Sequence, residues 1–223
     1  RRTLSQTPVS SYKIESNMSD FYPHPIDCSK LNVIALCHYP KVQLLSILQE
    51  ITSLSSISKY TKIPVSLKFS VDGSHLFVGY RDGWCNIHDV STGKLLNDYL
   101  FQSVKDITSG ASVTCFDVID NLALTAYTNG QIGLLDERLK TPIYAIKDSH
   151  DETIVTVAIN KRNPNIYASS GDESFVKIWD LRYFKEGAPL ITFKEHKAAV
   201  RGIAWCPHNN DIIATGGGMA DKR

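Results

Sequence analysis

From residue 25 onward, apolar and polar residues alternate in short runs that end on turn residues, the pattern of half-buried strands. The run IDCSKLNVIALCHYPKVQLLSI (26–47) alternates in two pieces joined by the turn-like HYPK, which predicts two paired strands. In VSLKFSVDGSHLFVGY (65–80) two apolar strands flank Val71-Asp72-Gly73, and Asp-Gly between apolar strands is a strong hairpin signal. Arg81-Asp82-Gly83 repeats the device before WCNIHDV. A third group runs through SVTCFDVIDNLALTAY (112–127), turns at Asn129-Gly130 and continues in QIGLLDERLKTPIYAI. A fourth runs from DETIVTVAINKRNPNIYASSG through FVKIWDLR to PLITFKEH, and a fifth opens with AAVRGIAWCPHNNDIIATGGG. The polar, Ser-rich stretch 1–23 has neither period and is expected to be an extended arm, while 49–63 is expected to be a connecting loop.

Three of these groups end on the same two-residue signal, at His88-Asp89, Leu135-Asp136 and Trp179-Asp180, with the aspartates 47 and 44 residues apart. A period of about 40–45 residues closed by Trp-Asp is that of four-stranded propeller blades. A blade cannot bury both its faces alone, so such sheets stack around a central channel. The chain is therefore expected to be all-β, a WD-repeat β-propeller at 24–223 behind the arm at 1–23. Blades are expected near 24–48, 64–100, 112–147, 153–195 and, incomplete, 198–223. A ring of about four and a half blades would leave strand edges unpaired, so the sequence is expected to be part of a longer, seven-bladed protein.

His150 and His196 stand at matching positions ahead of the fourth and fifth groups. Each is expected to hydrogen-bond through a small strand residue toward the Trp of its blade, as at Trp179, satisfying buried polar groups within the sheet. The closing Asp89, Asp136 and Asp180 carry the same structural expectation. Gly216-Gly217-Gly218 follows IIAT, precedes no helix that could hold an anion, and is expected to form a tight inter-strand turn.

Composition narrows the function classes. A formal net charge of +1 with 21% charged residues argues against duplex nucleic acid as a dominant partner. No stretch approaches the roughly 18 apolar residues of a membrane span, so no membrane partner is expected. Five scattered cysteines read as reduced, buried thiols, and nucleus and cytoplasm are the expected compartments. A Gly-x-Ser-x-Gly elbow, a Walker-type loop and His-Glu-x-x-His are absent, and the cysteines lack the close pairs of zinc ligation. No catalytic residue, metal or cofactor is expected. The runs 1–19 and 52–61 offer phosphate-accepting hydroxyls, as solvated serine-rich loops commonly do.

Two segments go beyond the generic repeat. In 195–223, Ala204-Trp205-Cys206-Pro207, then Ala214-Thr215-Gly216-Gly217-Gly218 and Asp221, closely resembles the fifth blade of the Fizzy and Fizzy-related family, propeller co-activators of the anaphase-promoting complex. In 8–36, Pro8, Tyr12-Lys13, Asp20-Phe21-Tyr22, Asp27-Cys28-Ser29 and Asn32-Val33 resemble the segment leading into that family's propeller. LLDERLKTPIYAI and SSGDESFVKIWDLR resemble its third and fourth blade endings.

The resemblance implies a substrate receptor that lends specificity to a ubiquitin ligase, with ligase subunits, degron-bearing substrates and pseudosubstrate inhibitors as partners. It places Asp27 where the family meets the arginine of the destruction box, and a carboxylate suits a guanidinium's paired donors. The plainer alternative is that Asp27 starts a strand and bonds a nearby backbone amide. On the top face, where the family reads the Lys-Glu-Asn box, the usual Gly-Gly-Asn-Asp turn is Ser170-Gly171-Asp172-Glu173, and the usual Gly-Gly-Gly-Thr ends in Gly218-Met219. Acceptor-only Asp172 would favour a lysine and repel a glutamate, and Met219 lacks the hydroxyl, so these positions mark a location and imply a divergent, fungal, meiosis-specific member. Two alternatives stay open: a propeller scaffold of another complex, and an enzyme housed in the channel, which predicts inward carboxylates or histidines repeated in every blade.

Overall fold

The computed structural model describes residues 24–38, 40–46, 62–101 and 111–221. The arm expected at 1–23, most of the loop at 49–63 and the hydroxyl-rich runs 1–19 and 52–61 lie outside them. The described chain forms five antiparallel sheets in sequence order. The first holds β1 (Ile26–Cys28), β2 (Val33–His38) and β3 (Lys41–Ser46); the second β4 (Pro64–Phe69), β5 (His75–Tyr80), β6 (Cys85–Asp89) and β7 (Leu95–Tyr99). The third holds β8 (Val113–Ile119), β9 (Leu122–Tyr127), β10 (Ile132–Asp136) and β11 (Tyr144–Ile146). In the fourth, β12 (Ile154–Ile159), β13 (Ile166–Gly171) and β14 (Val176–Asp180) are followed by a 3-10 helix (Leu181–Glu186) and β15 (Ile191–Phe193). The fifth consists of β16 (Val200–Trp205) and β17 (Ile213–Gly217). The first strands β1, β4, β8, β12 and β16 contact one another in turn and form an inner wall, so the chain is a WD-repeat β-propeller of stacked blades.

Stacking explains why the strands are more apolar than a one-sided sheet requires, since interior sheets bury both faces. Every residue of β8 and β10 is buried. One apolar layer, including Phe77, Ile87, Tyr99, Val113, Phe116 and Leu135, fills the space between the second and third sheets. Another, including Leu124, Ile132, Ile154, Tyr167, Trp179 and Phe184, fills that between the third and fourth.

Two local expectations differ from the structure. The first apolar run makes two strands rather than one before HYPK, because the chain reverses at Ser29–Asn32. Ser29 Oγ accepts the Leu31 and Val33 amides at 3.2 Å each, and Asn32 adopts φ +60. The glycine run is not an inter-strand turn: Gly216 and Gly217 belong to β17, paired with Gly202 and Val200, and the turn begins at Gly218. The reason is space, because a side chain at Gly217 would run into the Asp221 carboxylate.

His88 is the second-last residue of β6, opposite Leu76, the place that Leu135 takes opposite Ala123 and Trp179 takes opposite Tyr167. It is 4% exposed, and neither ring nitrogen has a hydrogen-bond partner. Burial pushes its pKa down to about 4. A lowered histidine pKa means that the unfolded chain binds the proton first, so stability falls as the pH drops from 6.5 toward 4, by about 3 kcal/mol in all. His88→Leu, which copies the third sheet, is expected to flatten that part of the pH–stability curve. Urea unfolding of both proteins at pH 7, 5.5 and 4.5 checks this, and parallel curves would refute it.

Candidate functional site

Asp27 lies on β1, in the inner wall. Its Oδ2 accepts the Phe69 amide of the neighbouring inner strand at 2.8 Å, and its Oδ1 stands 3.6 Å from Lys68 Nζ. The side chain is 21% exposed and borders a cavity of about 220 Å³ whose walls include Lys68, Phe116, Asp117, Thr156 and Ile203. His24 closes one side: its carbonyl accepts the Leu67 amide at 3.0 Å, and its Nε2 donates to the Val155 carbonyl at 3.2 Å. Burial lowers the His24 pKa, which agrees with a neutral ring carrying its proton on Nε2.

Asp117 repeats the arrangement two sheets on. Its Oδ2 accepts the Ile159 amide at 2.7 Å, and its Oδ1 accepts from Lys161 Nζ at 2.9 Å. Phe69 and Ile159 are both the last residues of their inner strands. Each aspartate thus latches its blade to the next by satisfying an amide at the strand end, with a lysine beside it. At Asp27, which borders the cavity, the latch occupies one oxygen and leaves the other beside Lys68.

The histidines build a second kind of site. Trp179 Nε1 donates to Ser169 Oγ at 2.8 Å, Ser169 Oγ donates to His150 Nε2 at 2.6 Å, and His150 Nδ1 donates to Glu173. This donor chain requires the neutral ring with its proton on Nδ1. Burial lowers the His150 pKa accordingly. Burial alone would raise that of Glu173, but the bonds from His150 and Lys177 outweigh it and hold the carboxyl at about 2. In the fifth sheet His196 Nδ1 donates to Asp221 at 2.7 Å and Nε2 meets Thr215 Oγ1 at 2.8 Å.

The closing aspartates cap the turns after their strands. Asp89 accepts the Thr92 amide at 2.7 Å, Asp136 the Arg138 amide at 3.0 Å, and Asp180 the Arg182 amide at 2.9 Å. Each of the two arginines also folds back onto its aspartate.

Asp172 and Met219 sit at equivalent hairpin corners of adjacent sheets. The Asp172 amide donates to the Thr153 carbonyl at 3.0 Å and the Gly218 amide to the Ala199 carbonyl at 2.8 Å, each just before an inner strand. Met219 is 98% exposed and Asp172 half-buried. Asp27 bonds the far end of an inner strand, so the structure separates it from these two residues instead of joining all three in one pocket.

Among the described residues no group of three or more His, Cys, Asp or Glu side chains is placed to hold a metal ion. Cys37, Cys85 and Cys115 are buried, with burial pushing their thiols up to about 12, 11 and 12.

Residues 28–121 match the family described as the anaphase-promoting complex subunit 4 WD40 domain, and residues 187–223 match the WD domain, G-beta repeat. Over 99% of its length the chain is 29% identical to the APC/C activator protein CDC20 of Saccharomyces cerevisiae. It is 28% identical over its whole length to the WD repeat-containing protein slp1 of Schizosaccharomyces pombe, and 28% identical over its whole length to the APC/C activator protein CDH1 of Saccharomyces cerevisiae. Over its full length the chain is similar to APC/C activator proteins. It also superposes on a chain in the crystal structure of the mitotic checkpoint complex, with a TM-score of 0.86 at 27% identity, covering all of this chain and 67% of that one. A computationally designed protein, Ika8, matches at 20% identity with a TM-score of 0.68, a likeness of fold alone.

The chain spans 34% of CDC20, 43% of slp1 and 37% of CDH1. Within it, sequence reasoning missed the carboxylates that face the histidines, Glu173 and Asp221, and the hydroxyls Ser169 and Thr215 between ring and strand. A signal was present: each hydroxyl lies 19 residues after its histidine. The acids are less regular, 23 and 25 residues on, because the fifth-sheet turn is two residues longer. Asp117 was also missed, and only the blade-to-blade contact reveals its kinship with Asp27.

Proposed function

We propose that this chain is the receptor part of a co-activator of the anaphase-promoting complex, which binds destruction-box degrons and brings cell-cycle or meiotic regulators to the ligase for ubiquitination. Asp27 carries the reading: its carboxylate borders a cavity, with Oδ2 held by the Phe69 amide and Oδ1 left 3.6 Å from Lys68 Nζ. A degron arginine would meet that oxygen with charge-assisted donors. The protein would act without a catalytic residue of its own, raising the effective concentration of substrate lysines near the ubiquitin-loaded enzyme. Ligase subunits, degron-bearing substrates and pseudosubstrate inhibitors are the proposed partners, in the nucleus and cytoplasm. The likeness to the activators CDC20 and CDH1 and to a chain of the mitotic checkpoint complex supports this assignment. Asp172 and Met219, at the other end of the inner strands, are proposed as a divergent top-face degron pocket.

The test is binding of a fluorescent destruction-box peptide to the full-length protein, its Asp27→Asn and Asp27→Arg variants, and the peptide with arginine replaced by alanine. Asn keeps an oxygen for the Phe69 amide, so it removes the charge and spares the latch. About a 10- to 100-fold loss is expected for Asn, on the scale of a charged hydrogen bond, and no detectable binding for Arg. Unchanged binding to the Asn variant would take Asp27 out of the site and leave a propeller scaffold of another complex as the reading.

A further inference from the structure

Among the described residues, Lys68 is the cation paired with the proposed arginine contact, and it belongs to the protein itself. It lies on β4 next to Phe69, whose amide holds Asp27 Oδ2, and its Nζ stands 3.6 Å from Asp27 Oδ1. That separation is an ion pair but too long for a hydrogen bond. Lys68 therefore neutralises Oδ1 without saturating it. The lysine side chain is 35% exposed and lines the cavity through which a ligand would approach. At the parallel site Lys161 closes to 2.9 Å on Asp117 and also donates to the Val118 carbonyl at 2.7 Å, a settled pair. Asp117 borders the same cavity, but of the two lysines only Lys68 lines it.

We propose that Lys68 is a specificity-determining residue: it competes with the degron arginine for Asp27 Oδ1 and weakens arginine binding. The inference rests on the assignment of Asp27 as the arginine contact. With lysine and aspartate side by side the site has no net charge, so an incoming guanidinium gains little long-range attraction and must push an ammonium aside. Removing the lysine charge leaves a bare carboxylate. Arginine binding then becomes tighter, and its salt dependence steeper, because an unbalanced charge is screened where a balanced pair is not.

The experiment measures destruction-box peptide affinity of the full-length protein at 50, 150 and 400 mM salt for wild type, Lys68→Met, Lys68→Arg and Asp27→Asn. Arginine and alanine versions of the peptide are compared, and thermal unfolding checks each fold. Lys68→Met is expected to bind the arginine peptide about three- to fivefold more tightly at 50 mM salt, the scale of a partly exposed ion pair. The gain shrinks at 400 mM, the alanine peptide is unaffected, and Lys68→Arg behaves as wild type. Lys68→Gln serves the same purpose if the methionine variant does not fold. Equal or weaker arginine binding by Lys68→Met, or a gain shared by the alanine peptide, would overturn the proposal while a loss in Asp27→Asn kept the Asp27 assignment standing. Wild-type affinity in Asp27→Asn would remove that assignment and this proposal with it.

Discussion

Truncating Trp179 to alanine is expected to destabilise the fold by about 4 kcal/mol, the usual range for emptying a buried aromatic site being about 3–5. The indole is 2% exposed, and its ring lies nearly parallel to that of Tyr167, with centroids 6.0 Å apart at 8°. It belongs to the apolar layer between the third and fourth sheets, so the cavity would open at the joint of two blades. The indole N–H also begins the chain through Ser169 and His150 to Glu173. Trp179→Phe separates the two contributions. It retains most of the ring and removes the donor, and is expected to cost about 1–2 kcal/mol. Domains are commonly stable by only about 5–15 kcal/mol, so the alanine variant should unfold at far lower urea concentration. If both variants shifted the urea midpoint equally, packing at Trp179 would not be the main contribution.

The second large effect is expected at Glu173. Its carboxylate accepts from His150 Nδ1, from Lys177 Nζ at 3.0 Å and from the Asp151 amide at 3.1 Å, with only 7% of the side chain exposed. Glu173→Ala leaves a buried imidazole N–H without its acceptor and an ammonium without its counter-ion. Breaking such a pair from one side costs about 3 kcal/mol. Glu173→Gln keeps an acceptor for one donor and should cost roughly half as much. The pH dependence has a definite sign. The folded carboxyl is held at about 2 against an ordinary 4.5, so its contribution is complete above pH 4.5 and lost as the pH falls toward 2. The stability gap between wild type and Glu173→Gln should therefore narrow below pH 4.5. A gap independent of pH from 5 to 3 would mean that the carboxylate charge contributes nothing.

Both residues would bear on the proposed function through the rigidity of the inner wall. The proposed arginine contact is an oxygen of Asp27 oriented by an amide of the next blade, so its position depends on how blades stack. The proposed contact oxygen belongs to the first sheet, the amide that holds its carboxylate to the second, and the far walls of the cavity to the third, fourth and fifth. A loosened sheet would move these groups relative to one another.

Blade number and the positions of the hairpins follow from local chemistry. Asp-Gly and Asn-Gly must turn, as at Gly73 with φ +80 and Gly130 with φ +77, and a strand between two neighbouring sheets must be apolar on both faces. The sequence by itself therefore determined the repeating blade, since each of these signals acts within a few residues. It did not separate β1 from β2, because a three-residue strand carries too little alternation to be distinguished from its neighbour. That Gly217 must lack a side chain depends on Asp221, a carboxylate that returns through a longer turn. What only the tertiary structure decided is which groups meet across blades: Asp27 with Phe69 and Lys68, and Asp117 with Ile159 and Lys161. Those pairs lie about 40 residues apart, a separation at which no local preference acts, and they come together only because stacked sheets set the middle of one inner strand against the end of the next.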